Sequence, residues 1–375
     1  MNIFAARKKM LIVENSVYPT GALKSILSFT EQLSADFEFQ FLMSSRSSAV
    51  SLVEELGYKV HRLPFLEVHK GFSVLFYLPR LLINAFKLQK IIFDENISVL
   101  HINDLYNQLG TVSKILNPKL FLIYHVRLLP NCYLGKFYFV FSKLIQFKAD
   151  KIICVSQAVY QHFSQASNAV IISDGVVKIE MLPIKEYWIN WPLCNVLYLA
   201  NYVPGKGHAF ALKAMQIALA EQPNLRMKMV GSTNNNEMQE KYLRSLKDLA
   251  IVLGIDAQVT FSGSTNEVEQ EMKSADIVLN LSESESFSMV CLEALSYGVP
   301  LIASDCGGPA ELFENNKSGI LIPNRDSVSA ANAIVDLIRN PKTAETIGIN
   351  GKRFVRHKFD QDILLSKMRG IYNGI

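Results

Sequence analysis

Apolar runs of four to six residues recur along the chain, separated by longer stretches in which apolar positions return every three or four residues. Short runs with no wet face read as strands buried on both sides, and the longer stretches read as amphipathic helices. The pattern predicts strands at residues 10–14, 39–43, 59–63, 99–102, 121–125, 152–155 and 170–173. A second series follows at 196–200, 226–230, 259–262, 277–281, 300–303 and 319–321. Residues 22–33, 209–220 and 240–253 are each long enough for three or more helical turns. Two successive series imply an α/β chain of two doubly wound domains with parallel sheets. Ligands of such sheets bind outside the carboxyl ends of the strands, so a cleft between facing domains is the expected site.

Composition narrows this further. With 375 residues, 49% hydrophobic and 19% charged, the chain can bury two cores and is not disordered. Mean hydropathy is slightly positive, which raises the question of a membrane span. The longest uncharged run, 187–205, is about bilayer length, but Asn190, Pro192, Asn195, Asn201 and Pro204 make it a turn between strands. The apolar run 10–13 is too short for a signal-peptide core. Five scattered cysteines (Cys132, Cys154, Cys194, Cys291, Cys306) contain no Cys-x-x-Cys pair, so reduced thiols in a cytoplasmic protein are expected. The net charge of +4 is uneven: residues 1–190 hold 20 Lys+Arg against 14 Asp+Glu, leaving 18 against 20 for the remainder.

Residues 279–312 carry the most chemistry. An apolar strand is followed by a Ser/Glu turn (282–286), a helical run (288–297) stopped by Gly298, another strand, and the loop Asp305-Cys306-Gly307-Gly308-Pro309. A helix N-terminus after such a turn is a natural diphosphate site, with Phe287, Ser288 and Met289 as the N–H donors. Glu285 and Glu293 flank it. On a continuous helix they would be roughly 12 Å apart, beyond the roughly 5 to 9.5 Å of glycosidase carboxylate pairs. That spacing suits hydroxyls at opposite ends of a long ligand, and equally suits two solvated or capping glutamates.

The run from Glu285-Ser-Phe-Ser-Met-Val-Cys-Leu-Glu293 through Ala-Leu-Ser-Tyr-Gly-Val-Pro to Glu311 closely resembles the E-x7-E signature of retaining glycosyltransferase family 4. The resemblance extends over essentially the whole chain and implies the GT-B fold. Domains are expected at 1–177 and 195–358, with a linker at 178–194 that includes Trp188 to Pro192, and a C-terminal helix, 359–375, crossing back. By resemblance Glu285 binds the donor sugar and Glu293 the ribose, while Lys206, in Ala200-Asn201-Tyr202-Val203-Pro204-Gly205-Lys206-Gly207, is the diphosphate cation. Asn201 stands where the family has arginine, and Arg127 is the nearest substitute cation by motif. Gly21 is what remains of a glycine-rich phosphate loop. His125 holds the position of a family histidine near the donor sugar, whereas His101 is assigned a structural or acceptor-side role. Asp174, in a turn resembling the family's P-N-G-V, reads as structural, and Gly231 and Gly263 end strands near the nucleoside.

The function implied is hexosyl transfer from a UDP- or GDP-linked sugar to a glycan or lipid-linked acceptor in bacterial cell-surface polysaccharide synthesis. No cofactor, metal or nucleic acid is expected. A sugar-nucleotide epimerase of GT-B fold and a catalytically weak sugar-nucleotide-binding subunit stay open as alternatives. The stretches 71–93 and 134–148 are basic and amphipathic, carrying Lys70, Arg80, Lys87, Lys90, Lys136, Lys143 and Lys148. They read either as an anionic-membrane contact at the inner face of the plasma membrane or as core helices with wet lysines.

Overall fold

The computed structural model describes residues 7–65, 73–130, 135–175, 193–265 and 267–374. The expected linker residues Trp188 to Pro192, together with Cys132 and Lys70, lie outside them. Two compact units are present: Met1–Gly175 with Gln361–Ile375, and Val176–Asp360.

The first unit runs β1 (Lys8–Glu14), α1 (Gly21–Gln32), β2 (Phe37–Ser44), α2 (Val50–Glu55), β3 (Lys59–Leu63), α3 (Ser73–Glu95) and β4 (Val99–Ile102). It continues α4 (Leu109–Leu116), β5 (Phe121–Val126), α5 (Gly135–Lys148), β6 (Lys151–Cys154), α6 (Gln157–Tyr160) and β7 (Ala169–Ile171). All seven strands are parallel, in the order β3-β2-β1-β4-β5-β6-β7. Right-handed crossovers place α1 and α2 on one face and α3, α4 and α5 on the other, because the winding direction reverses after β3.

The second unit runs β8 (Cys194–Leu199), α7 (His208–Glu221), β9 (Leu225–Val230), α8 (Glu237–Val252), β10 (Val259–Ser262), α9 (Val268–Ser274) and β11 (Ile277–Asn280). Then come α10 (Met289–Ser296), β12 (Leu301–Ser304), β13 (Ile320–Ile322), α11 (Ser327–Arg339) and α12 (Pro341–Lys358). Its six parallel strands are ordered β10-β9-β8-β11-β12-β13. Small residues let α7 and α11 approach closely: Ala211, Ala214 and Ala218 meet Ala330, Ala331 and Ile334 in one buried cluster.

The last helix, α13 (Gln361–Asn373), belongs to the first unit. Its Leu364, Met368 and Tyr372 complete the core formed by Met10, Ile12, Phe39, Phe41 and Ile123 with Leu23 and Ile26 of α1. Every strand predicted from the apolar runs is present, with ends shifted by at most two residues.

Candidate active site

The sheet order of the second unit builds the site. β8, β11 and β12 are neighbours, and the winding reverses between β8 and β11. Loops leaving their carboxyl ends therefore meet where doubly wound sheets place ligands. These loops are 200–207, 281–288 and 305–308.

Backbone contacts tie the three together. Glu283 N–H donates to Gly205 O at 2.9 Å, Glu285 N–H to Cys306 O at 3.2 Å, and Gly308 N–H to Glu285 O at 2.8 Å. The buried Tyr198 hydroxyl accepts the Leu281 N–H at 3.2 Å and donates to the Lys206 carbonyl at 2.5 Å. Burial pushes its pKa well above the ordinary phenol value, so the hydroxyl keeps the proton it donates. Gly207 has φ +75°, and a Cβ there would lie 1.8 Å from Leu281 O, an approach open only to glycine. Burial also pushes the Cys306 thiol up to about 11 and Cys291 higher still, so neither is an activated nucleophile.

Within this frame Lys206 Nζ meets Glu285 Oε1 at 2.6 Å, and Ser282 Oγ donates to the same oxygen at 2.9 Å. Both heads are partly exposed. An ion pair of this kind contributes about 1 kcal/mol or less, so a phosphate can take over the lysine at small cost. Glu285 is not on α10: the helix begins at Met289, so the continuous helix behind the expected roughly 12 Å spacing to Glu293 is absent. Glu293 lies in the second turn of α10, partly exposed. Phe287 is buried against Phe359, with ring centroids 5.6 Å apart. Ser288 caps the helix: its Oγ accepts from Cys291 N–H at 3.3 Å and from Asn280 Nδ2 at 2.9 Å. Its φ of +88° is rare outside glycine. The N–H groups of Met289 and Val290 precede any acceptor within the helix, which leaves a positive helix end beside Lys206 and Glu285.

The residues expected at the nucleoside end lie in the loops just after β8, β9 and β10. A Cβ at Gly231 would lie 2.0 Å from Ala200 O, so this glycine lets the loop after β9 close onto the loop after β8. Asn201 is exposed and its Oδ1 accepts the Ser232 N–H at 3.1 Å, joining the same two loops. Gly263 is exposed with open space where a Cβ would stand.

In the first unit the winding reverses between β1 and β4, and a charged network occupies that end of the sheet. Arg127 Nη1 donates to both carboxylate oxygens of Asp174 at 2.7 and 2.8 Å, Nε to Asn103 Oδ1 at 2.8 Å, and Nη2 to Ser25 Oγ at 3.3 Å. Ser25 donates in turn to Asp174. Asn103 Nδ2 donates to Glu14 at 2.5 Å, and Glu14 also takes the Ser16 N–H at 2.9 Å and hydroxyl at 2.6 Å. Arg127, Asp174 and Glu14 are all buried, so the Arg127 charge is offset by Asp174 from within. Gly21 is the first residue of α1 and exposed; Thr20 caps that helix, accepting the Leu23 N–H at 3.2 Å.

His101 and His125 are fully buried and stacked, with ring centroids 5.6 Å apart. His101 Nδ1 meets the Tyr372 hydroxyl of α13 at 2.7 Å, and His125 Nδ1 accepts from Arg127 Nη2 at 3.4 Å. Neither Nε2 has a partner among the described residues. Burial first, then the Arg127 charge, lowers both pKa values, His101 to about 3 and His125 well below the ordinary value, so both rings are neutral at pH 7. Glu14, Ser25, Tyr198 and Tyr372 escaped the sequence reading. A charged residue directly ending an apolar strand was the available signal for Glu14.

Among the described residues no cluster of three or more His, Cys, Asp or Glu could hold a metal ion. The chain's one Asp-x-Asp, Asp360-Gln361-Asp362, lies where α13 begins rather than at a strand end.

Two doubly wound units, one carrying a lysine, a glutamate and a helix N-terminus at its switch point, define a GT-B glycosyltransferase architecture. Anabaena HepE, crystallised in complex with UDP and glucose, superposes with a TM-score of 0.82 at 20% identity, over 98% of this chain and 100% of that one. Residues 195–354 match the family described as glycosyl transferases group 1. The chain is 26% identical over 336 residues to an uncharacterized glycosyltransferase, MJ1178, of Methanocaldococcus jannaschii, covering 86% of this chain and 87% of that protein. It is 28% identical over 189 residues to the GDP-mannose-dependent alpha-(1-6)-phosphatidylinositol monomannoside mannosyltransferase of Mycobacterium tuberculosis, covering 48% of this chain and 47% of that protein. The match to the group 1 glycosyltransferases thus falls on the second unit, and the chain is a glycosyltransferase, an enzyme that moves a sugar from a nucleotide sugar.

Two outcomes follow from this geometry. Gly207→Ala is expected to cost at least about 2 kcal/mol in denaturant unfolding, whereas Gly205→Ala, with φ +89° but open space, costs about 1 kcal/mol; equal costs would show that close approach is not the constraint. The second concerns pH. Burial lowers the pKa of His101 to about 3, of His208 to about 4 and of His125 well below its ordinary value, so below pH 6.5 the unfolded chain binds more protons than the folded one. Stability is complete above that pH and is lost as pH falls toward about 3; urea unfolding that is flat between about pH 7 and 5 would contradict this.

Proposed function

We propose that the chain transfers a hexosyl unit, with retention and without a metal, from a UDP- or GDP-linked sugar to a glycan or lipid-linked acceptor in bacterial cell-surface polysaccharide synthesis. The observation that carries this is the Lys206–Glu285 pair, 2.6 Å apart beside the N-terminus of α10. Lys206 and the N–H groups of Phe287, Ser288 and Met289 hold the diphosphate, and charge grows there as it leaves. Glu285, freed from the lysine, accepts a donor-sugar hydroxyl, and Glu293 accepts from the ribose. Asn201, Gly231 and Gly263 bound the nucleoside end through backbone and amide contacts.

In the transfer the bond from the anomeric carbon to the diphosphate oxygen breaks, and the bond to the acceptor oxygen forms on the same side. The acceptor proton passes to a phosphate oxygen of the leaving group. His125, neutral and with no partner for Nε2 among the described residues, supplies a hydrogen bond to a sugar hydroxyl. Because the Arg127 charge is offset by Asp174, Lys206 and the helix end carry the diphosphate, and Arg127 with Gly21 shapes the acceptor side. The HepE complex with UDP and glucose supports the donor class, and the mycobacterial relative's phosphatidylinositol monomannoside supports a lipid-linked acceptor.

Donor hydrolysis and transfer across a panel of UDP- and GDP-sugars provide the test. Lys206→Ala is expected to lower kcat by about 10²- to 10³-fold, the usual effect of removing one charge-stabilising donor, and Glu285→Ala to abolish transfer. Rates equal to wild type for both would overturn the assignment. The same assays should be indifferent to a chelator; activity lost with it and restored by manganese would refute metal independence.

A further inference from the structure

We infer that the outer faces of α3 and α5 form a docking surface for an anionic lipid bilayer. The inward stripes of both helices are ordinary: Leu81, Ala85, Leu88 and Ile92 of α3, and Tyr138, Phe141 and Ile145 of α5, are buried against the first unit. The outward stripe of a surface helix is normally polar. On α3 it instead carries Leu78, Leu82, Phe86 and Phe93, at 64%, 50%, 64% and 82% exposure. On α5 it carries Phe139, Leu144 and Phe147, at 56%, 43% and 82%. Leu78, Leu82 and Phe86 rise in steps of four on one face of α3, and on α5 the same step from Phe139 to Phe147 passes through Lys143, with Leu144 beside it.

Both helices lie on the same side of the sheet with α4 between them, and they meet where Tyr77 of α3 stacks on Phe141 of α5 with centroids 6.4 Å apart. Arg80, Lys87, Lys90 and Lys143 are exposed among these apolar residues, and Lys148 Nζ sits 4.9 Å from the Phe147 ring centre. The acids on α3 are neutralised by bases: Asp94 pairs with Lys90 at 2.8 Å and Glu95 with Lys59 at 2.7 Å.

Charge and shape decide the occupant. A two-fold contact between copies would set lysine against lysine. A bilayer with anionic headgroups takes both features at once, with aromatic rings at the acyl boundary and lysines among the headgroups. The chain lies on this surface and does not pass through it there, since no helix among the described residues is long and apolar enough to span a membrane. The inference rests on the lipid-linked acceptor proposed above and gives that acceptor its place of delivery.

The test is flotation of the full chain with phosphatidylcholine vesicles, with and without phosphatidylglycerol, alongside donor hydrolysis in vesicle-free solution. Wild type is expected to float with the anionic vesicles, less so at high salt, and not with the neutral ones. Phe86→Ser with Phe147→Ser should lower partitioning by about a hundredfold, as two buried rings are lost. Lys87→Glu with Lys143→Glu should abolish the preference for anionic lipid. Both variants should keep wild-type donor hydrolysis, which separates this surface from the reaction itself. Wild type failing to float with anionic vesicles overturns the inference. So does unchanged flotation of the variants, or a solution dimer or acidic-protein complex that the phenylalanine variant dissolves while flotation persists. Absent hydrolysis with intact flotation would sink the transferase reading and leave the membrane surface standing.

Discussion

The second unit's site depends on one hydroxyl. Tyr198 Oη accepts the Leu281 N–H and donates to the Lys206 carbonyl, so a single buried side chain, with the Glu283–Gly205 backbone bond, fixes the loop after β8 to the loop after β11. These are the loops that carry the lysine and the glutamate. The tie works only because Gly207 lets the two backbones approach to a distance no Cβ would tolerate, and because burial keeps the phenol protonated. The backbone under Lys206 and Glu285 is thereby fixed, and a fixed frame of this kind is what the proposed electrostatic stabilisation of a leaving group needs.

The same winding rule produces opposite results in the two units. Each sheet reverses direction once, and at each reversal adjacent strands send their loops apart and leave space at their carboxyl ends. In the second unit a positive helix end and a partly exposed ion pair occupy that position. In the first, Glu14, Asn103, Arg127, Asp174 and Ser25 fill it with a hydrogen-bonded network whose charges are buried. The buried Arg127–Asp174 pair is strongly held, because removing either partner leaves an uncompensated charge. The first unit is thereby rigid where the second is exchangeable, and its two buried neutral histidines rest on that rigid base.

The sheets were legible because their strands are buried on both sides, so the apolar runs stand out without any need for alternation; the run at 59–63 matches its strand residue for residue. Lys206 and Glu285 were legible too, as members of two separated motifs, although only the fold brings their heads to 2.6 Å. What was illegible is pairing across distance. Nothing near Arg127 announces Asp174, and nothing near His101 announces Tyr372, because each partner arrives on another strand end or on the returning helix. The form of the 285–288 turn was hidden for a different reason. Its Ser/Glu content reads as a turn, but how the chain bends before Met289 is decided by contacts with Cys306 and Gly308.

Ser288 shows why that bend takes the form it does. A φ of +88° would be relaxed for glycine and costs a serine on the order of 1 to 3 kcal/mol. Glycine, however, has no hydroxyl to accept the Cys291 N–H or to receive Asn280 Nδ2, and both bonds are made in a buried place where unmet polar groups are expensive. The two hydrogen bonds offset the strain, and the strained backbone turns the chain so that α10 starts after the bend rather than running through it. A relaxed helical residue at 288 would extend α10 backward and bury its first N–H groups in its own hydrogen bonds. The strain at one residue thus sets where the helix begins, as the proposed diphosphate site requires, and the cap that offsets the strain fixes where that end lies.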